Sequence, residues 1–175
     1  MIRPSSEATT ATSREATTGV PNMSTHHGIL LHIVFSTKYR KPLLQDDWRD
    51  DLFAYIGGIV KDHKSVLLKS GGIEDHVHLL IRIHPEFAIS KTVQLLKTNS
   101  SKWISEQNKA KQFQWQRGYG AFSVSQSMAE KVKTYIANQR EHHTKKTFEG
   151  EYLAMLKNHG IDYDPRFVFD QEIIT

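Results

Sequence analysis

The chain has 175 residues, 38% of them hydrophobic, with a net charge of +4 at pH 7. That length suits one domain with an appendage, and the apolar content is too high for a disordered protein. Cysteine is absent, which excludes disulfides, zinc ribbons and thiol nucleophiles and is compatible with a reducing cytoplasm.

Residues 1–22 are rich in Ser, Thr and Ala without periodicity, which predicts a disordered tail. The tail has no apolar core of a secretory signal, Glu7 and Glu15 argue against a transit peptide, and Met23 is an alternative start. Order begins at Gly28, where Leu31, Ile33 and Phe35 alternate with Leu30, His32 and Val34 as in a buried strand. This apolar stretch is interrupted by His32 and is far too short to span a bilayer. Asp46 or Asp47 can cap a helix whose Leu52, Phe53, Ile56, Ile59 and Val60 follow helical spacing. Residues 65–69 suggest a second strand, ended by Gly71-Gly72. In the third, over 76–84, Val77, Leu79, Ile81 and Ile83 face one way. His76, His78, Leu80, Arg82 and His84 face the other.

A second helix is predicted over 89–107, followed by extended pieces at 113–117 and 121–125 around Gly118-Tyr119-Gly120. Ser127-Met128-Ala129-Glu130 matches a capping box and opens a helix carrying Tyr135 and Gln139. A last helix over 148–158 stops at Gly160. The order β-α-β-β-α-β followed by helices predicts an α+β, ferredoxin-like (split βαβ) antiparallel sheet with helices on one face. C-terminal helices then carry Tyr135. In that strand order the first and third strands are central.

Basic residues cluster at 91–117 and 131–146, whereas acidic residues dominate from Thr147 onward. A polyanionic partner requires such a concentration; two solvated helix faces produce it too.

His76 and His78, at i and i+2 of a strand, project to the same face roughly 6.6 Å apart. Two imidazoles at that spacing can share a metal. Alone, such a pair more often marks two histidines on a half-exposed strand. Tyr135 and Gln139 lie about one helical turn apart. The glutamine carbonyl is a neutral oxygen ligand, and a mixed N/O set suits Mg²⁺ or Mn²⁺. A metal so held polarises a phosphodiester that the tyrosine can attack. A phenol has a pKa of about 10, and no base is evident within the motif. A core tyrosine beside Val132 and Ile136 is the plainer reading of Tyr135 alone.

His76-Val77-His78 and Tyr135-Ile136-Ala137-Asn138-Gln139 resemble the His-hydrophobic-His and Tyr-Ile-x-x-Gln motifs of small single-tyrosine HUH transposases. These transposases belong to hairpin-ended insertion sequences and their REP-associated relatives. Residues 32–40 and 118–125 extend the likeness, which covers roughly 28–164. The resemblance implies a ferredoxin-like domain over 23–146, preceded by the tail and followed by an acidic helical extension over 147–175. It implies cleavage and rejoining of single-stranded DNA at hairpin-marked ends. It implies His76, His78 and Gln139 as ligands of Mg²⁺ or Mn²⁺ and Tyr135 as nucleophile. It also implies a homodimer in which the tyrosine helix of one subunit commonly completes the partner's site. The expected location is a bacterial or archaeal cytoplasm, at the nucleoid, with no membrane partner.

Lys97, Lys102 and Arg117 are candidate DNA-backbone contacts. Arg140, His142 and His143 are candidates for phosphate, against a solvated helix end. Tyr119, with Trp103 and Trp115, is a candidate for stacking on unpaired bases, although Trp103 also fits a core position. His32 can share the ligand face or be a satisfied polar group. Three alternatives stand beside the transposase. Arg117-Gly118-Tyr119-Gly120 matches the start of an RNA-binding box, but near the fourth strand rather than the third. A domesticated relative would bind hairpin DNA without moving it. A replication initiator or relaxase would share the chemistry, usually with larger fused domains.

Overall fold

A computed structural model describes residues 26–169; the predicted tail over 1–22 lies outside the described residues. Four strands, β1 (Ile29–Ser36), β2 (Val66–Ile73), β3 (His76–Ile83) and β4 (Gly120–Val124), form one sheet in the order β2-β3-β1-β4. Every neighbouring pair is antiparallel. This is the predicted ferredoxin-like order, with β1 and β3 at the centre.

Period-two alternation gives the sheet two buried faces. Leu31, Ile33 and Phe35 of β1 and Val77, Leu79 and Ile81 of β3 pack against α1 (Asp46–Asp62) and α2 (Ile89–Glu106). Leu52, Ile56 and Leu96 are wholly buried in that core. Each such side chain contributes roughly 1.5–3 kcal/mol. The opposite face carries Leu30, His32 and Val34 of β1 with His76, His78 and Leu80 of β3, all buried. It is covered by α3 (Ala129–Ala137), α4 (Gln139–His143) and α5 (Phe148–Asn158). On α5, Phe148, Tyr152 and Leu156 form a helical stripe that packs on Val34 and on Phe122 of β4.

Several local expectations are corrected. Gln45, not Asp46 or Asp47, takes the cap position of α1; Asp46 instead bonds Arg49 and Arg140. The second strand does not end at Gly71-Gly72 but runs through both, pairing Gly71 with His78 and Gly72 with Val77. Glycine is required at Gly71 because α3 lies directly on it: a Cβ there would collide with the Ile136 carbonyl oxygen. Residues 113–117 form no strand, because Trp115 bridges only Thr37 and turns its indole inward to donate to Ser100 Oγ (2.9 Å). Trp115, expected to be open for base stacking, is therefore core. The capping box does not form. Ser127 lies in a 3-10 turn, its hydroxyl meets Ser125, and α3 starts at Ala129. The single helix expected for Tyr135 and Gln139 is broken at Asn138, which separates α3 from α4. The helix at Phe148–Asn158 ends as predicted, with Gly160 in the left-handed region (φ 62°).

Candidate active site

The site sits between β3, β1 and the three C-terminal helices. His76 and His78 are fully buried and reach it from the central strand β3, as their spacing requires. Tyr135 descends from α3 and Gln139 from α4. The break at Asn138 does not separate them, because both end on the same partner. Glu151 Oε1 accepts a hydrogen bond from the Tyr135 hydroxyl and another from Gln139 Nε2 (3.0 Å). The His78 and Tyr135 rings lie edge to face, 5.9 Å between centroids. Within one chain, Tyr135 thus meets His78 directly and shares Glu151 with Gln139.

Hydrogen bonds on the far side of each ring fix what the near side offers. Asp75 Oδ1 lies 2.6 Å from His76 Nδ1, which must donate to it, so neutral His76 presents a lone pair at Nε2. His143 Nδ1 is bound to the Lys146 carbonyl (2.8 Å), leaving the same lone pair at its Nε2. His78 Nδ1 pairs with His32 Nε2 (3.0 Å), and His78 Nε2 has no hydrogen-bond partner. Gln139 Oε1, an acceptor, lies 3.3 Å from His76 Nε2 and 3.0 Å from His143 Nε2. Glu151 Oε2, likewise unpartnered, lies 3.0 Å from His143 Nε2, 3.6 Å from His78 Nε2 and 3.8 Å from His76 Nε2.

Atoms able to offer lone pairs therefore converge here, and two of them, His78 Nε2 and Glu151 Oε2, have no hydrogen-bond partner. Buried polar groups rarely stay in that state, and a cation at their centre satisfies all of them. The ligating atoms of His76, His78, His143 and Glu151 lie within 4.8 Å of one another, so this chain could hold a metal ion here. The electrostatics agree. Burial holds His78 well below the ordinary imidazole range and lowers His32 to about 4, with His159 adding to the latter. Burial, then the neighbouring His76, lowers His143. Burial and then Asp75 push the Glu151 carboxyl up to about 8. Burial thus disfavours the charged forms of His78, His143 and Glu151 alike, and a bound cation would offset that cost for the carboxylate.

The other candidates scatter. Lys97 Nζ donates to the carbonyls of Gln116 (2.9 Å), Arg117 (3.4 Å) and Gly118 (2.5 Å), bracing that loop. Tyr119 is half-buried beneath the same ammonium. Lys102 is exposed and pairs with Glu106 at 3.7 Å; Arg117 is also exposed. Arg140 points away from the site to Asp46 (2.6 Å) and Glu74 (3.5 Å). His142 packs its ring edge on Tyr135, 5.2 Å between centroids, while His143 enters the donor cluster.

Sequence reasoning missed Asp75 and Glu151 as members of the site. Glu151 fell within an acidic run read as an extension. The available signal was its position between Phe148 and Tyr152 on an apolar helical stripe, where a glutamate is out of place.

A ferredoxin-like sheet with paired strand histidines, a helix-borne glutamine and a tyrosine meeting at a buried donor cluster defines a tyrosine-transposase type of domain. A family model for IS200-like transposases matches residues 25–139, and the chain belongs to that family. It is 29% identical over 116 residues to the transposase of insertion sequence element IS200 from Salmonella typhimurium, covering 63% of this chain and 76% of that protein. The Salmonella typhi transposase for the same element gives the same figures. Among solved structures, a candidate transposase from Deinococcus radiodurans is 26% identical with a TM-score of 0.52, covering 66% of this chain and 93% of that one. A REP-associated tyrosine transposase bound to a REP hairpin has a TM-score of 0.54 at 14% identity, covering 87% and 100%, and shares the fold. Among the described residues, no helix is long and apolar enough to cross a membrane.

Proposed function

We propose that this protein cleaves and rejoins single-stranded DNA at hairpin-marked ends through a 5′-phosphotyrosine on Tyr135, with Mg²⁺ or Mn²⁺ held by His76, His78 and Gln139. The observation that carries this reading is the convergence, in one chain, of the Tyr135 hydroxyl with the donor atoms of those three residues. When bound, the metal supplies a Lewis acid that draws charge from the scissile phosphate.

The remaining work falls to the chain itself. Asp75 and His32 fix the rings of His76 and His78 from behind. Tyr135 Oη forms a bond to phosphorus as the bond from phosphorus to the 3′ oxygen breaks. The phenolic proton is lost and the departing oxygen gains one, leaving a free 3′-hydroxyl and the 5′ end on the tyrosine. The covalent link conserves the energy of the broken bond. The hydroxyl of a second strand then reverses the attack, and no ATP is needed.

The hairpin in the structure of the REP-associated relative supports hairpin DNA as the substrate class. Lys102 and Arg117, both exposed, are the best placed of the expected backbone contacts. Lys97 acts through the loop it braces. The working assembly is a homodimer in a bacterial or archaeal cytoplasm, at the nucleoid. The intrachain contact of Tyr135 with Glu151 supports a site complete in each copy.

The test is incubation with labelled oligonucleotides carrying hairpins from the DNA flanking the gene, in Mg²⁺ or Mn²⁺, followed by a denaturing gel. A covalent adduct is expected from the wild type and none from Tyr135→Phe. An adduct from Tyr135→Phe, or none from the wild type with any flanking hairpin, would refute the catalytic reading. Tight hairpin binding without an adduct would favour a domesticated DNA binder.

A further inference from the structure

The stretch matched by the family model ends at Gln139, yet the donor cluster continues beyond it into α5. We propose that Glu151 is an integral ligand of the metal centre and that its second oxygen fixes the nucleophile, so that one carboxylate bridges metal and Tyr135. This rests on the metal-dependent reading above and adds to it a residue from the acidic extension.

Three observations carry the inference. Glu151 is only 2% exposed although its side chain is anionic when ionised. A carboxylate is rarely buried so far unless it is paired or coordinates a metal. Its Oε2 has no hydrogen-bond partner and faces His78 Nε2, the other unpartnered buried side-chain atom among the described residues, at 3.6 Å. Two atoms at that separation that make no hydrogen bond with each other become neighbouring ligands once a cation lies between them. Finally, the two oxygens are divided by role. Oε1 accepts from Tyr135 Oη and Gln139 Nε2, while Oε2 is left for the imidazole side.

The placement is built rather than incidental. Phe148 and Tyr152 flank Glu151 on the buried face of α5, and Phe148 also stacks on the His76 ring (4.3 Å between centroids). The helix is anchored on Val34 and Phe122, so Glu151 enters from a rigid element. The Thr147 hydroxyl caps the first turn by accepting from the Gly150 amide (3.2 Å). A carboxylate so held determines the direction of the Tyr135 hydroxyl, which otherwise rotates freely about its C–O bond. Glu151 is a metal ligand and a positioning residue for the nucleophile.

The test measures Mn²⁺ binding by the full-length protein, using electron paramagnetic resonance to count free ion, with no DNA present. Glu151→Gln keeps the shape and its bonds to neighbours while weakening ligation; Mn²⁺ affinity is expected to fall by roughly 10–100-fold or more, since even outer-shell losses are of that order. Glu149→Gln makes the same charge change two residues away, on a side chain that pairs with Arg40 at the surface (2.7 Å), and should leave affinity unchanged. Wild-type affinity in a folded Glu151→Gln protein overturns the inference.

Should Glu151→Gln fail to fold, hydrogen exchange on the wild type decides instead. Mn²⁺ is expected to slow exchange of α5 amides together with those of β3. Slowing confined to β3 overturns the role of Glu151. A wild type that binds no Mn²⁺ at all overturns the metal-dependent reading itself, a different result from either.

Discussion

Gly71 is where the helix that carries Tyr135 can be moved without touching a donor atom. A Cβ on this residue would collide with the Ile136 carbonyl oxygen and lie 3.1 Å from the carbonyl carbon and 2.8 Å from Cγ2 of the same residue. Non-bonded carbons normally sit about 3.5–4.0 Å apart. The carbonyl belongs to the backbone of α3, so rotating a side chain cannot relieve Gly71→Ala; β2 and α3 must separate by on the order of 1 Å. Overpacking of this kind costs about 1–3 kcal/mol. The lower entropy of the unfolded alanine chain returns about 0.4–1 kcal/mol of that. A net loss of about 1–2 kcal/mol is expected in urea unfolding. The effect on chemistry is larger, because Tyr135 precedes Ile136 and moves with it. A displacement near 1 Å can cost about 100-fold in rate. Single-turnover adduct formation on hairpin DNA should therefore fall much further than stability does. Unchanged melting and an unchanged adduct rate together would refute the close seating of α3 on β2.

Other perturbations separate the parts of the site. Tyr135→Phe should abolish the adduct while leaving Mn²⁺ affinity within about twofold, because no proposed ligand is lost; a large fall measured by calorimetry would make Tyr135 part of the metal centre. Asp75→Asn removes the carboxylate that holds His76 Nδ1 and should weaken Mn²⁺ binding by about 10–100-fold, with equal affinity in the variant arguing against that orienting role. Leu156→Ala hollows the contact that seats α5 on Val34 and Phe122, at a cost of about 2–5 kcal/mol in denaturant unfolding. Because α5 carries Glu151, Mn²⁺ affinity should fall in the same variant; a loss of stability with full metal affinity would uncouple the two.

Much of the frame was legible in the order of residues because it is local. Alternation along β1 and β3 assigns each side chain to a face, and i, i+2 spacing alone puts His76 and His78 together. The two helices that bury the opposite face follow from their apolar period. The errors were also local, and each came from a competing contact, near or distant in sequence, overriding a short motif. Ser127 satisfied the capping pattern but found another partner in Ser125. Gly71-Gly72 looked like punctuation, whereas Gly71 is a passage for α3.

The sequence by itself determined the sheet, the histidine pair and the motif that carries Tyr135, since period and spacing are properties of neighbouring residues. Only the tertiary structure decided that Tyr135 meets His78 within one chain, that Asp75 and His32 set the rings of His76 and His78, and that Glu151 joins them. The physical reason is that these contacts depend on where α3 and α5 dock across the sheet. That docking depends on a close backbone approach at Gly71 and on the surface, Val34 and Phe122, that receives the stripe of Phe148, Tyr152 and Leu156, and no local pattern specifies either.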